Sequence, residues 1–237
     1  MVPSDKNQGG TAVLFSGGLD SAVLLAEALR PSSGPAGGEG GTVQPLYIST
    51  GLAWERAELA IAARLLQADA FHGAAPLVHL HFDVSDVYPP GHWAIRGEAP
   101  GFDTPDEDVY LEGRNIALLS KASIYMARAG LTRVFIGPLA GNPFPDATPG
   151  FFDLLGRALS AGLARPIAIA APFLSLRKAE VIALGASLGV PLEHTLSCMQ
   201  PVEGIHCGWC SKCRERRDAF GEAGIADPTS YSRQPAR

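Results

Sequence analysis

The segment from residue 11 to residue 21 constrains the fold most, because it joins a buried strand to a helix through a glycine turn. The apolar run of residues 12–15 predicts a strand that is buried on both faces. Two glycines, Gly17 and Gly18, then allow a tight turn, and Asp20 and Ser21 begin a helix whose apolar residues recur with helical period. We therefore expect a β-strand, a glycine turn and a helix N-terminus in succession.

This order of elements is typical of an anion site. Backbone N–H groups at a glycine turn are not covered by side chains, and the helix dipole adds positive potential at the same point. The sequence therefore favours phosphate binding here, although an ordinary βα turn has the same outline. No Gly-Lys-Ser/Thr follows, so the segment is not a Walker loop.

The rest of the chain alternates predicted strands with predicted helices. Such alternation predicts an α/β fold with a doubly wound, mostly parallel sheet of about five strands, in which ligands collect at the carboxyl ends of the strands. Ser16, Thr50 and Asp83 would lie at that edge. The further strands are residues 42–50, 77–82, 131–136 and 167–170, and the further helices are 54–66, 116–128, 151–163 and 176–188. Residues 31–41 predict a mobile surface loop, and residues 85–107 a long irregular one that is functional or disordered.

Two cations stand near predicted helix starts. Arg114 follows Gly113, where its planar guanidinium could meet a phosphate or a carboxylate, or form a surface salt bridge. Lys178 lies in the first turn of its helix, where the dipole disfavours a cation. An anionic ligand would compensate, but a tolerated surface lysine is the simpler interpretation.

A pair of histidines and a set of acidic residues are interpreted as structural rather than functional. His79 and His81 alternate on a strand without a cysteine or carboxylate at ligand spacing, which predicts core or subunit-interface histidines. Four acidic residues cluster at the end of the irregular stretch, and a solvated face explains them better than a metal site. They are Asp103, Asp106, Glu107 and Asp108.

All four cysteines fall close together, with the spacing C-x8-C-x2-C-x2-C. They are Cys198, Cys207, Cys210 and Cys213. This spacing favours a tetrahedral zinc, with an iron–sulfur cluster as the alternative. Four thiolate ligands leave no open position, so the metal would be structural. The following arginines, Arg214, Arg216 and Arg217, could balance its charge or contact substrate.

Composition excludes some classes of function. The 237 residues are 46% hydrophobic and carry a net charge of −5, which indicates a globular protein without broad affinity for nucleic acid. No apolar run approaches the roughly 20 residues that cross a bilayer. Residues 1–6 lack the pattern of a signal peptide, and we expect a cytoplasmic location, where disulfides are rare. We predict a main domain over 1–195 and a small metal-binding segment over 196–237.

Several strings occur together over residues 11–231: SGGLDS, GRN, LRKAEV, LGVPLEHTLSC, HCGWCSKCRER and AGIADPTSY. Together they resemble the 7-cyano-7-deazaguanine synthase family of queuosine biosynthesis, within the PP-loop ATP pyrophosphatase superfamily. The resemblance implies an adenine nucleotide α-hydrolase-like fold, a structural zinc and, as we expect, a homodimer.

The resemblance also implies a reaction, with 7-carboxy-7-deazaguanine, ammonia and ATP with Mg²⁺ as substrates. ATP would convert the carboxylate into an acyl adenylate, and ammonia would displace AMP to give an amide. A second adenylation on the amide oxygen would then permit loss of AMP and formation of the nitrile. Pyrophosphate leaves in both adenylations, so one loop serves both.

The roles of individual residues follow from the same resemblance. Ser16 and Ser21 would contact phosphate, Asp20 would be the helix N-cap or hold Mg²⁺, and Arg114 and Lys178 would balance phosphate charge. Substrate contacts would come from Arg114, Asp146 and Thr148. The predicted nucleotide contacts are Phe15, Ser16, Gly17, Gly18, Leu19, Asp20, Ser21, Ala22, Val23, Leu24 and Leu25.

One stretch departs from the family pattern. Where relatives usually carry an arginine and a glutamate after the fourth strand, this chain has Thr148 and Gly150. If those charged groups recognise the substrate, their loss should reduce selectivity. The alternative hypotheses are therefore an enzyme that adenylates another carboxylate, on a modified base or a protein terminus, and a nucleotide- or zinc-dependent binding scaffold.

Overall fold

The structure is a computed structural model that describes residues 9–30 and 41–233. Its centre is a five-stranded sheet in the order β3-β2-β1-β4-β5, and every neighbouring pair is parallel. The predicted doubly wound α/β fold is confirmed. The strands are β1 (Gly10–Leu14), β2 (Val43–Ser49), β3 (Val78–His81), β4 (Leu131–Phe135) and β5 (Ala168–Ala170).

Helices cover both faces of this sheet. One buried cluster joins β1 to apolar residues of the first, second, sixth and seventh helices, and another joins the opposite face to the fourth and fifth. The helices are α1 (Leu19–Ala28), α2 (Glu55–Leu65), α3 (Trp93–Arg96), α4 (Arg114–Ala129), α5 (Pro149–Leu163), α6 (Lys178–Ser187) and α7 (Ser211–Ala223).

The strand order places a crevice at the carboxyl ends of β1 and β4. The chain runs outward from β1 through β2 to β3, and then returns to the other side of β1 for β4 and β5. This reversal is the point at which doubly wound sheets bind ligands. Ser16 follows β1, Thr50 follows β2 and Asp83 lies beyond β3, so all three lie at the predicted edge.

The predicted irregular segment packs over this edge. It contributes α3 and two 3₁₀ turns, Ser85–Val87 and Asp106–Val109. Its buried side chains form a third apolar cluster with Leu52, Trp54 and Met199. The rings of Trp54 and Trp93 stack with centroids 5.5 Å apart and an interplanar angle of 8°.

The structure corrects the interpretation of the strand histidines as core residues. His79 and His81 are exposed, because β3 is an edge strand with no neighbour on one side among the described residues. A subunit-interface role for them stays a prediction. Asp103, Glu107 and Asp108 are exposed as predicted, while Asp106 forms an ion pair with Lys212 at 3.1 Å.

Two further predictions concern chain segments rather than side chains. Residues 1–8 and 31–40, which include most of the predicted surface loop, lie outside the described residues. Within the described ranges, no helix is both long enough and apolar enough to cross a membrane.

Candidate functional site

The turn between β1 and α1 is held by its own serines. The Ser21 hydroxyl donates to the Gly18 carbonyl at 3.0 Å, and the Gly18 N–H donates to the Ser16 hydroxyl at 3.2 Å. Helix α1 begins at Leu19 with Gly18 as its N-cap, so the prediction that Asp20 caps this helix is wrong. The first peptide groups of α1 therefore remain available to a ligand.

The two glycines of the turn have different surroundings. Gly17 has φ of +77°, and an added Cβ would lie 2.9 Å from the backbone nitrogen of Ala62 on α2. Gly18 is partly exposed and lines a cavity, and an added Cβ would lie 3.1 Å from the Ser16 hydroxyl oxygen. Gly17 thus permits the close approach of α2, while Gly18 leaves the turn accessible to an anion.

Two adjoining cavities open at this turn. One, of about 300 Å³, is lined by Ser16, Ser21 and Tyr47, and we call it the serine cavity. The other, of about 320 Å³, is lined by Trp54 and Trp93, and we call it the tryptophan cavity. Their shared wall consists of Gly18, Asp20, Glu58, Arg114, Gly137, Pro138, Asn142 and Phe144. They are therefore two lobes of one cleft.

Two charged atoms on the shared wall have no partner. Oδ1 of Asp20 and Nε of Arg114 are both buried and make no hydrogen bond to the described protein. Such atoms cost free energy unless a ligand satisfies them. A carboxylate oxygen suits Mg²⁺, and a guanidinium N–H suits phosphate or carboxylate, so the wall fits a magnesium nucleotide.

Lys178 is not a tolerated surface lysine, and that interpretation is wrong. Its side chain is 15% exposed, and its Nζ lies 2.7 Å from Oδ2 of Asp20 and 3.2 Å from Oε1 of Glu215. Burial alone would lower the pKa of Lys178, but the Asp20 and Glu215 carboxylates outweigh it and raise the pKa. Burial opposes ionisation of Glu215 as well, yet Lys178 and Lys212 lower its pKa to about 2. The lysine is therefore a permanent cation in the tryptophan cavity.

Sequence reasoning missed Glu58, which lines both cavities. The Tyr47 hydroxyl donates to its Oε2 at 3.0 Å. Burial raises the pKa of Glu58 to about 7, although Arg114 and the hydrogen bond from Tyr47 lower it in part. The available signal was its place on α2 one turn after Glu55, which caps the end of β2 through the Thr50 N–H at 2.6 Å.

The predicted substrate residues after β4 lie away from the cleft. Asp146 is 3% exposed and accepts hydrogen bonds from the backbone and side-chain N–H groups of Asn115, both at 3.1 Å. Thr148 is the N-cap of α5 and accepts the Phe151 N–H at 3.2 Å. Neither lines either cavity, whereas Arg114 lines both. The structure therefore gives Asp146 and Thr148 structural roles.

Apart from Gly17, which is buried and lines neither cavity, the predicted nucleotide contacts divide into two groups. Phe15, Ser16, Gly18, Asp20 and Ser21 line the serine cavity, and Leu19 lines the tryptophan cavity. The other group lies in the apolar core, with every side chain 0% exposed, and does not reach the cleft. Its members are Ala22, Val23, Leu24 and Leu25.

The four cysteines form one buried cluster. Their sulfur atoms all lie within 4.8 Å of one another, and three of the pairs are separated by 3.5, 3.8 and 3.9 Å. Four thiolates placed tetrahedrally at 2.3 Å from a metal would be about 3.8 Å apart. Backbone N–H groups of Gln200, Cys207, Gly208 and Trp209 donate to these sulfurs at 3.3 to 3.4 Å. The cluster therefore fits a tetrahedral metal ion with no open position.

The segment before the cysteines touches the glycine turn. The Leu196 N–H donates to the Gly17 carbonyl at 3.0 Å. On α7, Arg216 is fully buried and donates to the Thr195 hydroxyl at 2.9 Å and to the Ser197 hydroxyl at 3.1 Å. Arg216 thus joins the cysteine segment to the chain that supports the turn, and the structure does not place it on the cleft.

The neighbouring arginines also make structural contacts. Arg214 donates to the Thr104 carbonyl at 3.3 Å, and the Arg217 guanidinium lies 4.0 Å from the centre of the Tyr231 ring. Neither lines the two cavities, so a contact with substrate in the cleft is not supported for either.

Comparison with known proteins places these features in a family. Residues 96–224 match the family model described as queuosine biosynthesis protein QueC. The 7-cyano-7-deazaguanine synthase of Methanothrix thermoacetophila is 37% identical, covering 94% of this chain and 99% of that protein. The synthases of an Anaeromyxobacter species and of Halobacterium salinarum are 37% and 34% identical over 92% and 94% of this chain.

A solved structure, the U34-tRNA thiolase NcsA from Methanococcus maripaludis with its [4Fe-4S] cluster, aligns with a TM-score of 0.49 and 13% identity. The alignment covers 92% of this chain and 68% of that chain. Because the sequence relatives match over nearly their whole length, this chain belongs to the 7-cyano-7-deazaguanine synthase (QueC) family.

Proposed function

We propose that this protein converts 7-carboxy-7-deazaguanine and ammonia into 7-cyano-7-deazaguanine at the expense of ATP. The observation that carries the proposal is the full-length similarity to 7-cyano-7-deazaguanine synthases, together with an open cleft at the glycine turn. A carboxylate is a poor electrophile because oxide is a poor leaving group. Adenylation turns the oxygen into a good leaving group, and it does so twice, first on the acid and then on the amide oxygen.

The two lobes of the cleft suit two different substrates. The serine cavity lies at the Gly18 turn and between strand ends, where nucleotides bind in doubly wound sheets. The tryptophan cavity has aromatic walls and mixed charges, which suit a flat, polar deazapurine acid. We assign the nucleotide to the serine cavity and the acid to the tryptophan cavity, so that their reacting ends meet at the shared wall.

The charged residues of the shared wall then have defined tasks. Oδ2 of Asp20 is occupied by Lys178, so its free Oδ1 is the atom that would hold Mg²⁺. Arg114 has a free Nε and would stabilise charge that develops on the α-phosphate. The free N–H groups at the start of α1 would hold the departing pyrophosphate.

The altered loop does not favour a different substrate. Thr148 and Gly150, which replace the charged residues of relatives, are exposed and lie outside both cavities. The loop reaches the cleft instead through Asn142 and Phe144. No contact in the described residues supports the hypothesis of another carboxylate.

The cysteine cluster is proposed to hold zinc in a structural role. Its closed, all-sulfur ligand set and its N–H donors support this assignment over a catalytic metal. Metal analysis of protein purified without added metal should find zinc at one equivalent and no iron absorption in the visible range; iron with a charge-transfer band would contradict it.

Further proposals concern the location, the assembly and the partners of the protein. We propose a cytoplasmic homodimer that acts on small molecules and does not bind nucleic acid, as the negative net charge supports. Light scattering on the eluting protein would test the dimer, and a monomer at all concentrations would contradict it.

The test of the activity uses the full chain with the acid, ATP, Mg²⁺ and an ammonium salt, followed by mass spectrometry. We expect the nitrile, with one AMP released for each adenylation. Arg114→Ala should slow product formation about 100-fold, while Arg157→Ala, which alters an exposed arginine of α5, should leave it unchanged. Release of AMP with amide as the final product would reduce the protein to the first half-reaction, and absence of AMP would overturn the proposal.

A further inference from the structure

Glu58 occupies a distinctive place in the cleft. It lines both cavities, so it stands where the acyl carbon of a bound acid would meet the phosphate of a nucleotide. The Tyr47 hydroxyl orients its Oε2 at 3.0 Å. Among the described residues, no lysine or arginine forms an ion pair with it. Its carboxylate therefore faces the reaction site without a salt-bridge partner, and the nearest cationic influence is Arg114 on the same wall, which lowers its pKa.

The proposed reaction requires a proton acceptor at that place. At neutral pH ammonia is present almost entirely as ammonium, which has no lone pair with which to attack an acyl carbon. One proton must leave the nitrogen before the C–N bond can form. An anionic oxygen at the meeting point of the cavities can both attract ammonium and take this proton.

We propose that Glu58 is the binding and general-base residue for the nitrogen substrate, an inference that rests on the proposed function. The carboxylate hydrogen-bonds ammonium and accepts one proton, which generates ammonia in contact with the acyl adenylate. The nitrogen lone pair forms the C–N bond, the bond from carbon to the AMP oxygen breaks, and its electron pair leaves with AMP. A second proton passes from nitrogen to the departing phosphate, which gives the neutral amide, and Glu58 returns its proton to solvent.

The electrostatic surroundings of Glu58 suit this task. Burial raises the pKa of Glu58 to about 7, and Glu55 on the same helix raises it further, while Arg114 at the start of α4 and Tyr47 of β2 lower it. A base of this strength takes a proton from ammonium at the active pH and releases it again. The other charged groups that face the two cavities are Asp20, Asp106, Lys178, Lys212 and Glu215.

Glu58→Gln tests the proposal, because glutamine keeps the shape and can still accept the Tyr47 hydrogen bond. We expect kcat/KM for ammonium to fall about 100-fold or more. Pyrophosphate exchange that depends on the acid should remain within about 3-fold of wild type, because adenylation does not use this base. Hydroxylamine, which is neutral at pH 7, should trap the acyl adenylate as hydroxamate equally well in both proteins. Asp153→Asn removes an exposed carboxylate from α5 and should change none of these rates.

The pH profile separates a base from a structural residue. In wild type, kcat/KM for total ammonium should rise to about pH 7 and then level off. In Glu58→Gln it should keep rising about tenfold per pH unit, because only free ammonia reacts. Tyr47→Phe removes a hydrogen bond that favours the ionised carboxylate, so its plateau should begin at higher pH.

Two results would overturn the inference. The first is an unchanged ammonium dependence and pH profile in Glu58→Gln, and the second is a parallel loss of pyrophosphate exchange, which would place Glu58 in adenylation or folding. A wild-type protein without acid-dependent pyrophosphate exchange would instead contradict the proposed function itself.

Discussion

The cleft beside Gly18 and the cysteine cluster are both polar sites within apolar surroundings, but they differ in whether their polar atoms have hydrogen-bond partners. In the cleft, Oδ1 of Asp20 and Nε of Arg114 are buried without a partner. In the cluster, three of the four sulfurs accept a backbone N–H, and all four lie close enough to share one ion. In the cleft the unpaired atoms belong to charged groups that line the cavities, while in the cluster the sulfur ligands are complete within the chain and its metal, although the nearby Ser211 hydroxyl and Arg217 Nη1 are also buried without a partner.

This difference distinguishes residues that bind a ligand from residues that stabilise the fold. An unpaired buried charge lowers the free energy of unfolding. A ligand that hydrogen-bonds to the charge offsets this loss when it binds. A saturated cluster raises that free energy and offers nothing to substrate. Substitutions in the cluster should therefore act on stability, and substitutions on the cleft wall should act on activity.

The largest expected effect comes from the cluster. Cys213→Ala leaves three buried thiols around a metal that needs four, and we expect the free energy of unfolding to fall by about 4 kcal/mol or more. The melting temperature should fall by roughly 8–16 °C for a chain of this size. Calorimetry and metal analysis on the same sample would measure both, and retention of metal with an unchanged melting temperature would break the comparison.

Arg114→Ala is the corresponding change in the cleft. Loss of a guanidinium with an unsatisfied Nε should lower kcat/KM about 100-fold, which is roughly 3 kcal/mol of transition-state stabilisation, with less than about 1 kcal/mol of change in stability. Steady-state kinetics and urea unfolding would show the split. A large loss of stability with normal kinetics would assign Arg114 to the scaffold.

The paired glycines sharpen the comparison within a single turn. Gly17→Ala forces an alanine into φ of +77° and against Ala62, and should cost about 2 kcal/mol of stability. Gly18→Ala has an ordinary φ of −70°, and its methyl group would lie 3.1 Å from the Ser16 hydroxyl oxygen, so it should cost less than about 1 kcal/mol while it shifts that hydroxyl at the anion site. Thermal unfolding and ATP binding by calorimetry would test the pair, and equal losses of stability would contradict the asymmetry.

The smallest effect is expected at Asp146. Asp146→Asn weakens the bonds to Asn115 at the start of α4 and should cost about 1 kcal/mol. Because Asp146 does not line the cleft, kcat/KM should stay within about twofold of wild type. A rise in KM for the acid alone, without loss of stability, would restore Asp146 as a substrate contact.

Local pattern was sufficient for the sheet and for two motifs. The alternation of elements predicted five parallel strands, and the glycine turn and the cysteine spacing were both visible in single short strings. These features depend on neighbours in sequence, so sequence reasoning reached them. Sequence reasoning also predicted that α1 begins at Asp20, one residue after its observed start at Leu19.

Apart from the N-cap of α1, the features that sequence reasoning did not reach involve partners that are distant in sequence. Lys178 pairs with Asp20 across 158 positions, and no local pattern connects them. The burial of His79 depends on strand order, which places β3 at an edge. The substrate role of Asp146 came from the family resemblance and stays a prediction, and no local pattern indicates that its carboxylate accepts a hydrogen bond from Asn115, 31 positions away. Charge pairing and edge position arise from the tertiary fold and cannot be derived from a single segment.

The chain has three tryptophans, and the fold distributes them between the two regions. Trp54 and Trp93 stack in the wall of the cleft, while Trp209 donates its backbone N–H to the Cys207 sulfur and lies under the Arg233 guanidinium. Fluorescence emission would therefore report ligand binding in the tryptophan cavity through one pair of indoles and changes at the cysteine cluster through the third. A single spectrometer can follow both sites, with Trp209→Phe separating the two signals.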